Sequence, residues 1–366
     1  MQAIYEAAES TQRMIYQVAG QTIVIEARDS WAVTIIEKLF AGWYLAPATS
    51  VRDDVTQPLT SESDASESDT AKASQDASVT PAIVISATVK PPDIPRDWPQ
   101  FEVAGGGECF TDGTTFYIEI ERSVIAIGKT ERAAVEVWTN GLLEIQSPAL
   151  TRVVTYALAA ALRRRDLFEL HSGAVIDPVS GAGVLIIGPS GSGKSTLTVQ
   201  LAAAGWPFLT DDVLLLSAEE TEVKAWPLRR CFAITSETFA ASNFLQTHAS
   251  LDYLKAQGSE TQHKRQFAPH QVFDAKFKEH CIPQKLFFSQ VSGSESSRVL
   301  QLTSAETMAR LIRMNPWSCY DRSTATEHLA VLASLVKQSA GYALFAGKDL
   351  LDTESAANLI AHYTRD

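Results

Sequence analysis

The sequence predicts an α/β fold in which a mixed-sheet domain, residues 148–366, follows a small β-rich α+β domain, residues 1–147. Three observations carry this prediction. An apolar run at 184–187 enters the glycine-punctuated turn GPSGSGKST and then a helical pattern ending at Gly205, which is the order strand, loop, helix. The preceding apolar run at 170–176 reaches that strand through only seven residues, DPVSGAG. Seven residues are too few for a helical crossover, so the two strands are expected to pair antiparallel. Upstream, short β-like runs at 83–85, 116–120, 124–127 and 135–137 are parted by turn residues such as Gly105-Gly106-Gly107 and Asp112-Gly113.

From the N-terminus, residues 14–26 read as a hairpin turning at Ala19-Gly20. Asp29 and Ser30 then cap a helix whose apolar positions, Trp31, Ile35, Ile36, Leu39, Phe40 and Trp43, recur at helical spacing and read as core; Pro47 ends it. Residues 48–80 lose periodicity (TSESDASESDTAKASQDAS) and are too polar to offset the entropy of ordering them, so they read as a disordered acidic, Ser-rich linker. Ser147 and Pro148 open a helix with Leu150, Val153, Val154, Ala157, Leu158, Ala161 and Leu162 on one side, the join to the second domain. The helix dipole favours Arg163-Arg164-Arg165 at its end, where they are expected in solvent. Beyond Gly205, strands are expected at 208–210 and 213–216, the latter with a hairpin partner at 223–226. A helical pattern spans 236–257, and His263-Lys264-Arg265 fall in a polar loop. Strands follow at 285–290, 298–302 and 342–346; helices follow at 325–338, at 353–363 and after a Thr303/Glu306 capping box.

The net charge of -12 includes about -5 from residues 52–76, where seven acids face two bases. A mildly acidic chain without a basic face does not bind nucleic acid well, because that affinity comes from neutralising phosphates. Cys109, Cys231, Cys281 and Cys319 are widely spaced, form no CxxC or zinc-like pattern, and read as reduced thiols. The N-terminus lacks the basic and apolar regions of a signal peptide, and no run approaches the ~20 apolar residues of a membrane span. A cytoplasmic protein with no membrane partner is expected.

The turn after the strand at 184–187 has the chemistry of a phosphate-binding loop. Its residues are Gly188, Pro189, Ser190, Gly191, Ser192, Gly193, Lys194, Ser195 and Thr196. The glycines let successive N–H groups face phosphate oxygens, and the following helix adds the partial positive charge of its N-terminus. Lys194 is placed for the β- and γ-phosphates and Ser195 for Mg²⁺, which predicts ATP with Mg²⁺ as cofactors. One helix later, Asp211 and Asp212 stand between two strands, in reach of a loop that binds phosphate. His171 lies on the strand beside the one that ends in Gly188.

These residues resemble the C-terminal kinase domain of the HPr kinase/phosphorylase family, and more closely its HprK-related kinases. The resemblance rests on LHSGAV with His171, on GPSGSGKST and on FLTDDVLLL, and its motifs are specific over 169–217. It implies a P-loop serine kinase of HPr kinase type with a mixed sheet. In that scheme Asp212 accepts the proton of the acceptor hydroxyl, Asp211 holds the metal or its waters with Ser195, and His171 and Lys194 complete the catalytic set. Members of this family assemble into homo-oligomers. The Glu-x-Arg-Gly-like signature of kinases acting on HPr is absent; the region reads KAWPLRRCFAITSETF, which argues against HPr as acceptor and against the reverse phosphorylase reaction. The acceptor is therefore a hydroxyl of a protein, a peptide or a free small molecule. The rival reading is an ATP-binding switch or scaffold without phosphotransfer. Lys264 and Arg265 read as solvated surface, and Arg229 and Arg230 stand equally between substrate contact and surface.

Overall fold

The computed structural model describes residues 12–30, 32–34, 36, 46–47, 83–87, 92–103, 107–121, 124–129, 135–139, 148–228, 232–248, 255–257, 264–267, 269 and 272–365. The acidic stretch at 48–80, Ser147, Arg229, Arg230, Cys231 and His263 lie outside the described residues. The architecture is mixed α/β with several sheets, and the chain divides near Ala161 into an N-terminal and a C-terminal unit. Among the described residues no helix is long and apolar enough to cross a membrane.

In the N-terminal unit, β1 (Gln12–Val18), β2 (Gln21–Ala27), β3 (Ala46–Pro47), β4 (Ile83–Ala87), β5 (Gln100–Val103), β6 (Gly107–Thr111), β7 (Thr115–Ile120), β8 (Val124–Lys129) and β9 (Val135–Thr139) form one sheet. Its order is β3-β1-β2-β4-β9-β8-β7-β6-β5. The first hairpin turns at Ala19 and Gly20, whose φ values of 48° and 75° match the twist of the flanking strands. Asp29 caps a helical start, its Oδ1 accepting from the Ala32 N–H at 2.7 Å. Gly107, expected in a turn, instead opens β6. A Cβ there would stand 2.7 Å from Ile120 Cγ1, so this glycine serves close approach of paired strands.

Helix α1 (Pro148–Arg163) spans the point of division, and the C-terminal unit continues through β10 (Phe168–Ile176), β11 (Gly183–Ile187), α2 (Lys194–Ala203), β12 (Phe208–Thr210), β13 (Val213–Glu219) and β14 (Glu222–Pro227). There follow β15 (Phe232–Thr235), α3 (Ser236–Ala241), α4 (Asn243–His248), β16 (Lys255–Gln257), β17 (Lys264–Phe267), β18 (Pro283–Val291) and β19 (Arg298–Leu302). Last come α5 (Ser304–Met314), α6 (Trp317–Tyr320), α7 (Ala325–Gln338), β20 (Ala340–Ala346) and α8 (Thr353–Thr364). The main sheet runs β14-β13-β10-β11-β18-β20-β19, with β12 also paired to β10; β15-β17-β16 form a small separate sheet. Strand β11 is antiparallel to β10, as the short connection requires, and parallel to β18. Its side chains alternate between two cores. Val184 and Ile186 pack with Leu197 and Leu201 of α2 and Ile360 of α8, while Leu185 and Ile187 pack with Leu311 of α5 and Leu332 of α7. Both faces of the strand are thereby covered.

Three expectations for this unit need correction. The helical pattern at 236–257 breaks at Ser242, which is buried and extended (φ −98°, ψ 104°) and whose Oγ accepts from the Leu245 N–H at 3.3 Å to restart the helix as α4. Residues 255–257 are strand, not helix. Lys264 and Arg265 lie in β17, not in a loop, with β15 on one side and β16 on the other; two satisfied backbone ladders outweigh the polar composition. Arg163 and Arg164 are not in solvent either. Arg163 is 1% exposed, ion-paired to Glu169 and Asp321 and stacked 4.9 Å from the Trp317 ring centroid, while Arg164 pairs with the same Asp321 at 3.1 Å. The helix ends at Arg163, the turn after it passes through Asp166 in the left-handed region (φ 59°), and the reversed chain brings Glu169 back against the guanidinium.

Candidate functional site

The buried strand β11 delivers the chain to Gly188, just past its C-terminal end in the middle of the sheet. A Cβ on Gly188 would stand 2.5 Å from Ser192 Oγ and 2.7 Å from the Ser289 carbonyl, so the chain can turn here only as glycine. Pro189, Ser190 and Gly191 form the exposed crest. Gly191 and Gly193 take φ values of 79° and 88°, and Gly193 is the N-cap of α2. No side chain caps this helix, whereas Thr235, Thr303 and Asp352 cap α3, α5 and α8 with side-chain oxygens. An uncapped N-terminus leaves its first N–H groups and the positive end of the dipole to an anion. Lys194 is 5% exposed and folds across the loop, its Nζ donating to the Pro189 carbonyl at 3.0 Å. Ser195 Oγ donates to the Asp211 carbonyl at 3.5 Å, and the Thr196 and Thr238 hydroxyls lie 3.0 Å apart.

The acidic pair reaches this loop through the neighbouring strands. Ser172 of β10 pairs with Ile187 of β11, so His171 stands at the level of Gly188. His171 is in turn registered with Val213, the residue after Asp212. His171 Nε2 lies 3.1 Å from Asp212 Oδ1, and their side chains are 43% and 21% exposed. Asp211 is fully buried, and its Oδ2 accepts from the Ala233 N–H at 3.0 Å. The two acids therefore differ: Asp212 faces outward with a histidine beside it, and Asp211 fastens the bend to β15.

Thus Gly188 to Thr196, Asp211, Asp212 and His171 converge; Lys264 and Arg265 lie on β17, whose neighbour β15 carries the Ala233 N–H that binds Asp211. Ser289 was not legible as a site residue. It is the buried residue on β18 whose Oγ donates to the Ser192 carbonyl at 2.7 Å and braces the loop from the parallel neighbour. Its signal is a serine at the end of the otherwise apolar run LFFS, where a core strand needs no hydroxyl.

No family model and no curated protein matches the chain. One solved structure similar in part is that of the HPr(Ser) kinase/phosphatase from Coxiella burnetii, at 18% identity and a TM-score of 0.23; the match covers 33% of this chain and 58% of that one. At that score the likeness adds nothing to what the loop and the His171–Asp212 pair themselves indicate.

Proposed function

We propose that the C-terminal unit is an ATP- and Mg²⁺-dependent kinase that transfers the γ-phosphoryl group to a hydroxyl, a serine of a protein or peptide being the favoured acceptor. The observation that carries this reading is the His171 Nε2 to Asp212 Oδ1 contact of 3.1 Å beside a glycine loop that leads into an uncapped helix. A switch that only binds the nucleotide needs the loop alone; the partly exposed carboxylate held beside it is what favours transfer to a hydroxyl.

Ser195 would hold a cation bound mainly by phosphate oxygens, with Asp211 behind it, its carbonyl accepting from the Ser195 hydroxyl and its buried carboxylate from the Ala233 N–H. Mg²⁺ in such sites takes one or two protein groups and otherwise phosphate oxygens and water. When bound, the metal supplies neutralisation of phosphate charge. Asp212 takes the proton of the acceptor hydroxyl as its oxygen bonds to the γ-phosphorus, while His171 holds that carboxylate in place. Lys194 and the loop N–H groups carry the charge that gathers on the β-phosphate as the bridging bond breaks. A positioned base contributes about 10²–10⁴ in rate.

The test is transfer from γ-labelled ATP with Mg²⁺ into a cell extract fractionated by size, native chain beside Asp212→Asn. Label should enter a protein, peptide or small-molecule fraction with the native chain and fall about 100-fold or more in the variant, with ATP affinity retained. Normal transfer by Asp212→Asn would remove the base assignment. Tight ATP binding with label going only to free phosphate, or staying in ATP, would replace the kinase by a switch.

A further inference from the structure

The sheet order sorts the surroundings of the phosphate loop into two sides. His171 and Asp212 lie on the β10 and β13 side of β11; β18 and β20 lie on the other. With phosphoryl transfer on the first side, the remainder of the nucleotide leaves toward the second. There the parallel strands end at loop level, since Ile187 is registered with Phe288. Phe287 faces the core that contains α2, so by the two-residue period Ser289 and then Val291 project on that same face. Ser289 braces the loop, but Val291 has no comparable task. It is 56% exposed, and its Cγ2 lies 3.5 Å from the point a Cβ on Gly193 would occupy.

The ground behind Val291 is firmly built. The turns after β18 and β20 are stitched together: the Ser292 N–H donates to the Ala346 carbonyl at 2.9 Å and the Lys348 N–H to the Ser294 carbonyl at 2.9 Å. The Asp349 carboxylate accepts from the Ser297 N–H at 2.9 Å and from its Oγ at 2.5 Å. Leu351 follows, 37% exposed, its carbonyl held by Gln200 of α2 at 2.5 Å. An exposed isopropyl group on a fixed support beside an anion site suits the one apolar, flat part of a nucleotide.

We infer that Val291 is the contact for the heterocyclic base of the bound nucleotide. The inference rests on the nucleotide reading above and extends it from the phosphates to the base. A valine offers dispersion and exclusion of water but no hydrogen bond, so the contact supplies affinity and does not discriminate between purines. Equilibrium binding of ATP, GTP and inorganic tripolyphosphate, each with Mg²⁺, to the full chain separates the possibilities. Val291→Ser should weaken ATP and GTP alike, by about fivefold, and leave tripolyphosphate within about twofold. Val291→Leu should keep ATP within about threefold of native. Equal loss for ATP and tripolyphosphate would show that the substitution only distorts the loop, and unchanged ATP affinity in Val291→Ser would show that the base lies elsewhere; either overturns the inference alone. A native chain that binds neither ATP nor tripolyphosphate removes the phosphate-loop reading itself.

Discussion

His328 offers a direct test of how the C-terminal unit is held together. It is fully buried on α7, its ring stacked 4.7 Å from that of Phe168, and neither ring nitrogen has a hydrogen-bond partner among the described residues. Burial first, and then the Arg163 charge, push its pKa down from 6.5 to about 4, with Asp321 opposing weakly. As the pH falls, the unfolded chain takes up this proton well before the folded one does, so stability is lost from near pH 7 down to about pH 4. With those two values the loss between pH 7 and pH 5 is about 2 kcal/mol, rising to about 3 kcal/mol near pH 4. His328→Leu, of similar volume, removes both the titration and two unsatisfied polar atoms. It should be at least as stable as the native chain at pH 7 and should lack the loss between pH 7 and pH 5. Urea unfolding at the two pH values measures this, provided the m-value is unchanged. A variant that keeps the native pH dependence to within about 0.5 kcal/mol would refute the assignment of that loss to His328.

Arg163→Met should destabilise the chain by about 3–5 kcal/mol, read by thermal unfolding, because it leaves the Asp321 and Glu169 carboxylates without the guanidinium between them. Burial pushes Asp321 up, but Arg163 and then Arg164 outweigh it and hold its carboxyl below the usual range; the stability this gives is present above pH 4 and should fade as the pH drops further. Gly188→Ala should weaken binding of a fluorescent ATP analogue by more than about tenfold, since the added methyl meets Ser192 Oγ and the Ser289 carbonyl and forces the loop to shift. Native-like affinity in that variant would show that the loop geometry does not depend on a bare Cα.

What could be read in advance followed from local rules. The glycine loop, the Thr303 capping box and the hairpin at Ala19-Gly20 are each encoded within a few residues, and the antiparallel pairing of β10 with β11 follows from a connection too short for anything else. The misreadings share the opposite property. Arg163 finds Asp321 at a separation of 158 residues, and Ser289 finds Ser192 at 97. An arginine at a helix end looks solvated until the chain folds a carboxylate over it. Residues 255–257 and 264–267 carry no strand-like alternation strong enough to reveal strands whose stability comes from pairing on both sides of β17. Ser242 likewise shows its break only once its hydroxyl is seen capping the next helix.

The position of the acidic pair has a topological cause. Strands β12 and β13 both run antiparallel to β10, and they form one path interrupted at Asp211 and Asp212. The ladder continues across the gap, since the Ser172 N–H donates to the Asp212 carbonyl at 2.8 Å, but the register on β10 slips between Ala174 and Val175. An interruption of this kind turns side chains away from the regular alternation, which is why bulges recur beside active sites. Here it sends Asp211 inward to the Ala233 N–H and leaves Asp212 outward beside His171. A helical crossover would have run β10 parallel to β11, which would remove the antiparallel register that sets His171 level with Gly188. The seven-residue connection DPVSGAG places β10 directly beside β11, and β10 in turn carries the broken strand, so that two separate sequence motifs meet at the level of Gly188.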